Sequence, residues 1–150
     1  MPSIEYRVQD ATALDIERHL AGIQINQTDV LLNIADIPKY AEKLASKAMT
    51  YEAWSAHVLI GLVAAYFDGE TGKAFITNVS VSSEFTRNNL ADTLMQNFIK
   101  DARTHKMQNI NLACHINNTP ARKLYEKHGF TIIKKIGDEI QMQKFLGEEN

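Results

Sequence analysis

The chain has 150 residues, of which 45% are hydrophobic and 23% charged. That balance excludes a disordered or collagen-like polymer and suits one packed domain spanning residues 1–150. With 16 Lys and Arg against 18 Asp and Glu, the net charge of −2 supplies no field to draw the protein onto nucleic acid or anionic lipid, so neither is expected as a partner. The one cysteine, Cys114, excludes an internal disulfide framework and a cysteine-based zinc site, and points to a reducing, cytoplasmic setting.

The opening Met1-Pro2-Ser3-Ile4-Glu5-Tyr6-Arg7 has no basic stretch leading into an apolar core, so a secretory leader is not expected. Ile4, Tyr6 and Val8 alternate with Glu5, Arg7 and Gln9, which predicts a strand with one buried face. Asp10 or Thr12 is placed to cap a helix carrying Leu14, Ile16, Leu20 and Ile23 on its apolar side. A second helix is expected from Asp36-Ile37-Pro38, with Tyr40, Ala41, Leu44, Ala45 and Ala48 on one side. Residues 24–33 between them read as a connector or as one wall of a binding site.

Three antiparallel strands are expected over 50–81, with turns at Ser55-Ala56-His57 and Asp68-Gly69-Glu70-Thr71-Gly72. The longest apolar run, 58–67, is shorter than the roughly 18 residues of a membrane-spanning helix and reads as a buried strand. Leu90, Leu94, Met95, Phe98, Ile99 and Ala102 then mark an amphipathic helix ending near Thr104. A strand over 109–116 turns Ile110, Leu112, Cys114 and Ile116 one way, with Asn111, Ala113 and His115 the other. Asn117-Asn118-Thr119-Pro120 opens a further helix that stops at Gly129, and strands over 130–136 and 139–145 close the chain as a hairpin turning at Gly137-Asp138. The order βααβββαβαββ implies an α/β fold whose mixed sheet carries helices on both faces.

Two segments carry chemistry. In the first, Val79-Ser80-Val81-Ser82-Ser83-Glu84-Phe85-Thr86-Arg87-Asn88-Asn89-Leu90-Ala91, a strand feeds a loop and the loop a helix. A helix start presents unpaired N–H groups and partial positive charge, so such a loop suits an anion such as a pyrophosphate. Asn88 and Asn89 tolerate the left-handed conformation a tight approach needs. A plain helix cap at Asn89, with Asp92 as its reciprocal partner, reads equally well from the residues alone. The second segment is Asn118-Thr119-Pro120-Ala121-Arg122-Lys123-Leu124-Tyr125-Glu126-Lys127-His128-Gly129-Phe130.

Together these segments resemble the acetyl-CoA-binding motifs of the GCN5-related N-acetyltransferase (GNAT) superfamily. In that family a strand ends in V-x-P-x-x-[RQ]-x-x-G-x-[GA], and a later helix carries N-x-x-A-x-x-L-Y-x-x-x-G-F. Asn118, Ala121, Leu124, Tyr125, Gly129 and Phe130 match every fixed position of the second. Val81, Phe85, Leu90 and Ala91 fall into register with the first, whereas Thr86 replaces the usual Arg or Gln and Asn89 the first glycine. The resemblance implies a mostly antiparallel central sheet of about seven strands, and acetyl transfer from acetyl-CoA to a primary amine by direct attack. It further implies that strands 74–81 and 109–116 splay apart around the pantetheine arm.

On that basis the cofactor-binding residues are Val79, Val81, Thr86, Arg87, Asn88, Asn89, Leu90, Ala91, Asn118, Ala121 and Tyr125. A backbone N–H within 79–81 would stabilise the oxyanion, Asn118 would hold the pantetheine side, and Tyr125 would protonate the departing thiolate. The altered loop implies weaker cofactor binding, with Asp92 competing for the helix dipole and Arg87 offsetting it. From the residues alone Tyr125 is a core aromatic and His115 a solvated strand-end imidazole or a base. Cys114 reads as a small packed hydrophobe. The two central strands carry no carboxylate, and Glu52, Asp68, Glu70 and Glu84 read as surface charges, so a water relayed through Thr77, Asn78 or His115 is the expected route for the amine proton. No His/Asp/Glu cluster has metal-ligand spacing. The acceptor is expected to be a small-molecule amine, for example an amino sugar, and the resemblance allows a homodimer without fixing the oligomeric state. The alternative is a ligand-binding or partner module of the same fold without transfer activity.

Overall fold

The computed structural model describes residues 3–23, 36–86 and 89–147. The chain runs β1 (Glu5–Val8), α1 (Ala13–Ile23), α2 (Ile37–Lys47), β2 (Met49–Ser55), β3 (Val58–Asp68), β4 (Lys73–Val81), α3 (Leu90–Thr104), β5 (Asn109–His115), α4 (Thr119–Lys127), β6 (Thr131–Ile136) and β7 (Glu139–Phe145). This is the expected order. A single 3-10 turn, Ser83–Phe85, replaces part of the loop before α3. The predicted segment 24–33 lies outside the described residues.

The seven strands form one sheet in the order β1-β2-β3-β4-β5-β7-β6. Every neighbouring pair is antiparallel except β4 with β5. Successive residues of β3 point to opposite faces, and both faces are covered. Val63 and Ala65 join Leu94, Met95 and Phe98 of α3 in one buried cluster, while Leu62 and Ala64 meet Ile16 and Leu20 of α1 and Ala41 and Leu44 of α2 in the other. Tyr51 ties α3 down: its ring meets Phe98 edge-on at 5.5 Å and its hydroxyl donates to Asp101.

Four details differ from the sequence expectation. Tyr6 and Val8 are exposed, because at the β1 end of the sheet the face they share is left largely uncovered. Leu14 is half exposed; the stripe that α1 buries is Ile16, His19, Leu20 and Ile23. Ala45 of α2 is likewise exposed, since Ile37, Ala41 and Leu44 already fill that contact. Glu52 is wholly buried, and is no surface charge.

That burial has a local cause. Thr12 caps α1 by accepting from the Asp15 N–H (3.2 Å), while Asp15 accepts from the Thr12 N–H (2.8 Å). The chain between β1 and this cap turns two backbone N–H groups inward, from Asp10 (3.0 Å) and Ala11 (3.0 Å), and both donate to Oε2 of Glu52. Thr50 Oγ1 (2.6 Å) and Trp54 Nε1 (3.0 Å) donate to the same carboxylate. A buried carboxylate is thus met by neutral donors from its own strand and from the segment it anchors.

Candidate active site

Strands β4 and β5 share three parallel pairs, Lys73 with Asn109, Ala74 with Ile110 and Phe75 with Asn111. Among the described residues no ladder joins them beyond Phe75, although β4 continues to Val81 and β5 to His115. Just past the last pair β4 bulges: Ala65 of β3 faces Ile76, Ala64 faces Asn78, and Thr77 is the extra residue. A bulge bends and twists its strand, and here it sits where the strands part. Val79 and Val81 lie beyond it, toward α3 and α4, in or against the cluster that holds Leu90, Cys114, Tyr125 and Phe130.

The entrance to α3 follows. Thr86 is exposed and its hydroxyl donates to the Ser83 carbonyl (3.2 Å). Arg87 and Asn88 lie outside the described residues. Asn89 takes the left-handed conformation, φ 57° and ψ 26°, and its side chain makes no cap. The reciprocal cap with Asp92 does not form either. Asp92 instead accepts from Lys127 Nζ (2.9 Å) and meets His128 Nε2 (2.9 Å), joining the first turn of α3 to the end of α4. Lys127 above all holds this carboxyl below the usual carboxylate range. Its charge is therefore matched locally by Lys127, which relieves the expected competition for the α3 dipole; the expected part of Arg87 in this falls outside the described residues.

On α4, Asn118 is the N-cap and its Oδ1 accepts from the Ala121 N–H (3.3 Å). One face of α4 carries Ala121, Leu124 and Tyr125 to the cluster beneath the split. Tyr125 is 5% exposed, its ring 5.9 Å from that of Phe130. Gly129 ends the helix at φ +91°, and a Cβ there would stand 2.7 Å from Lys144 Nζ, so only glycine fits without displacing that ammonium. His115 is on the opposite face at the strand end. Its Nδ1 accepts from the Asn117 N–H (3.1 Å) and its Nε2 stands 4.0 Å from Asp138. The structure thus gathers Val79, Val81, Leu90, Ala91, Ala121 and Tyr125 around one cluster and leaves His115 apart from it.

A second set of polar groups lines the α1 and α2 side of β4, and sequence patterning missed most of it. His19 Nε2 is 2.9 Å from Ser80 Oγ, and Ser80 Oγ donates to Asn78 Oδ1 (2.8 Å). The Tyr40 hydroxyl donates to the Thr77 carbonyl (3.1 Å). His19, Asn78 and Ser80 are all buried. Burial pushes the His19 imidazole down to about 4, against opposing hydrogen bonds to the backbone at Leu59 and Ser80. Because the unfolded chain binds a proton at an ordinary histidine pKa, near 6.5, the contribution of neutral His19 to stability is complete above that pH and is lost as pH falls toward about 4. Thermal denaturation from pH 7 to 4 should show this loss, and His19→Gln should flatten it. The carboxyls of Glu5, Asp68 and Asp92 are shifted downward by hydrogen bonds from Arg7, Thr71 and Lys127 respectively.

An unpaired strand edge suits an extended chain bearing amides, and the open N–H groups at the start of α3 suit a pyrophosphate, so these residues fit coenzyme A. Among the described residues no group of three or more His, Cys, Asp or Glu is placed to hold a metal ion, and no helix is long and apolar enough to cross a membrane. The class defined by this geometry is a mixed α/β fold built around a split between two parallel strands.

The model of the Acetyltransferase (GNAT) family matches residues 23–130, and the chain belongs to that family. Over 84 residues it is 34% identical to the N-terminal acetyltransferase B complex catalytic subunit NAA20 of Arabidopsis thaliana, covering 55% of this chain and 45% of that protein. Over 95 residues it is 32% identical to the corresponding subunit NAT3 of Saccharomyces cerevisiae, covering 61% and 49%. The chain spans about half the length of these curated relatives. The crystal structure of PaiA N-acetyltransferase from Thermoplasma acidophilum in complex with coenzyme A shares the fold, with a TM-score of 0.70 at 17% identity over 95% of this chain and 99% of that one.

Proposed function

We propose that this protein transfers an acetyl group from acetyl-CoA to a primary amine. The observation that carries this reading is the opening of β4 from β5 directly beside the uncapped, left-handed entrance to α3. Bound in the split, acetyl-CoA supplies an acetyl group activated as a thioester. The β4 edge from Val79 to Val81 offers backbone N–H groups to the oxygen on which charge develops. N–H groups from Asn89 to Ala91, with those of Arg87 and Asn88, hold the pyrophosphate, while Asn118 and Ala121 border the arm. Tyr125 delivers its hydroxyl proton to the departing sulfur. The buried thiol of Cys114 suits a reducing, cytoplasmic setting.

Replacing Asn89 by glycine relieves the cost of the left-handed backbone and removes a side chain from the pyrophosphate approach. CoA affinity measured by titration calorimetry should be unchanged or tighter. Abolished binding would make the Asn89 side chain a specific contact.

An ammonium acceptor, with a pKa of ~10 for an aliphatic amine and ~8 for a polypeptide α-amino group, must lose a proton before it attacks. Among the candidate carboxylates, Glu52 is saturated with donors in the core, and Asp68, Glu70 and Glu84 are exposed. The proton therefore leaves through water near Thr77, Asn78 and His115. Turnover should rise from neutral to alkaline pH, and His115→Ala should lower it only modestly. Loss of the alkaline limb in that variant would establish His115 as a dedicated base.

Two acceptor classes have support. The sequence expectation is a small-molecule amine. The names of NAA20 and NAT3 as N-terminal acetyltransferase subunits favour the α-amino group of a polypeptide, and we take that reading first. Coenzyme A release, measured with a peptide bearing a free α-amino group, the same peptide blocked, and a panel of small amines and amino sugars, separates the two. No release with any acceptor, alongside a rise in melting temperature on adding acetyl-CoA, would leave a ligand-binding module.

A further inference from the structure

The bulge at Thr77 lies where the β4–β5 ladder stops, and its polar groups are engaged from the opposite side of the sheet. Tyr40, from α2, donates to the Thr77 carbonyl (3.1 Å) and lies 3.2 Å from Thr77 Oγ1. Ser80 gives its single proton to Asn78 Oδ1 (2.8 Å), so the 2.9 Å contact between His19 and Ser80 must run from Nε2–H of the imidazole to Ser80 Oγ. The sense is continuous from α1 through Ser80 to Asn78, and it meets the bond from α2 at the bulge. Three members of this chain, His19, Asn78 and Ser80, are nearly excluded from water, so losing one hydroxyl strands buried partners.

We propose that Tyr40, Asn78, Ser80 and His19 are positioning residues that pin the Thr77 bulge and so keep β4 apart from β5 for the cofactor arm. This rests on the reading that CoA enters the split. A regular β4 would carry its twist and spacing onward from Phe75 and could continue the parallel ladder beside Leu112 and Ala113; the bulge interrupts that register, and the hydrogen bonds from α1 and α2 hold the bulge. The donor cleft on one face of the sheet is thereby coupled to the two helices on the other.

Tyr40→Phe and Ser80→Ala each remove a hydroxyl and nearly preserve shape, while Ser80→Thr retains the donor. The experiment combines CoA titration calorimetry with amide hydrogen exchange of the ligand-free protein, thermal denaturation serving as the control for folding. The expected result is CoA binding weakened about tenfold, a usual size for coupling between sites, in Tyr40→Phe and in Ser80→Ala, with recovery in Ser80→Thr. In the ligand-free variants, amides over 76–81 and 112–115 should exchange more slowly as the split narrows. CoA affinity within twofold of wild type and unchanged exchange at those amides would overturn the proposal, leaving the chain as ordinary core hydrogen bonding. Should Tyr40→Phe not fold, Ser80→Ala with Ser80→Thr carries the same comparison. Should wild type bind no CoA, the proposed function fails, and exchange in the ligand-free protein still decides whether the bulge is pinned: slower exchange in the variants upholds the pin, and unchanged exchange refutes it.

Discussion

Tyr125→Phe is expected to lower turnover about 100-fold, the lower range for loss of a positioned general acid, while CoA affinity and folding stay near wild type. The ring is buried against Phe130 at 5.9 Å within the cluster that also holds Val81, Leu90 and Cys114. Phenylalanine keeps that packing and removes only the hydroxyl. A loss of turnover at saturating donor, with unaltered CoA affinity and melting temperature, locates the effect in proton delivery to the sulfur. Unchanged turnover would return that proton to solvent and leave Tyr125 as a core aromatic.

Glu52→Ala should destabilise the fold more than the replacements at His19, Asn89, His115 or Tyr125. It strands inward-facing donors on Asp10, Ala11, Thr50 and Trp54 and opens a void in a fully buried site. Hydrogen bonds to a charged acceptor are each worth about 1.5–3 kcal/mol, and a stranded buried donor costs about 1–3. With partial relaxation, a net loss of about 4 kcal/mol is expected. At roughly 2–4 °C per kcal/mol for a chain of this size, the melting temperature should fall by about 8–16 °C. Glu52→Gln retains the shape but turns an amide donor toward N–H groups, so it should recover only part of the loss. A Glu52→Gln protein with wild-type melting temperature but no alkaline limb in its pH profile would assign Glu52 a chemical role in place of a structural one.

What could be read from the residues divides along physical lines. Helix α3 was legible because Leu90, Leu94, Phe98 and Ile99 repeat at helical spacing, and the turns at Gly72 and Gly137 because positive φ there favours glycine. The left-handed backbone at Asn89 was legible for a related reason, since asparagine is among the few other residues that adopt it readily. Burial of polar side chains was not legible. Glu52 and His19 sit in the core because partners distant in sequence, at Asp10 and Ser80, satisfy them, and no local period records such a pairing. The faint signal for His19 was its place one residue before Leu20 on the stripe begun at Ile16. The bulge at Thr77 left no mark either, because a single inserted residue in an apolar strand changes the facing pattern without changing the composition. Tyr6 and Val8 misled for the opposite reason: alternation reports which residues share a face, not whether anything lies over it.

The brief seam between β4 and β5 also bears on how the sheet holds together. Backbone hydrogen bonds knit β1 through β4 on one side and β5, β7 and β6 on the other; among the described residues the ladder between them holds three residue pairs, with the Gln108 and Asn109 N–H groups donating to the Gly72 carbonyl at its start. What spans the remainder is side-chain packing: Ile76 and Val81 from one half share a cluster with Leu112 and Cys114 from the other, beneath Leu94 and Phe98 of α3 and Tyr125 of α4. Apolar contacts are short-ranged but carry little directional preference, so they tolerate small sliding where a hydrogen-bond ladder would not. The seam should accordingly yield before either half does, with α3 and α4 packed across it as a clasp.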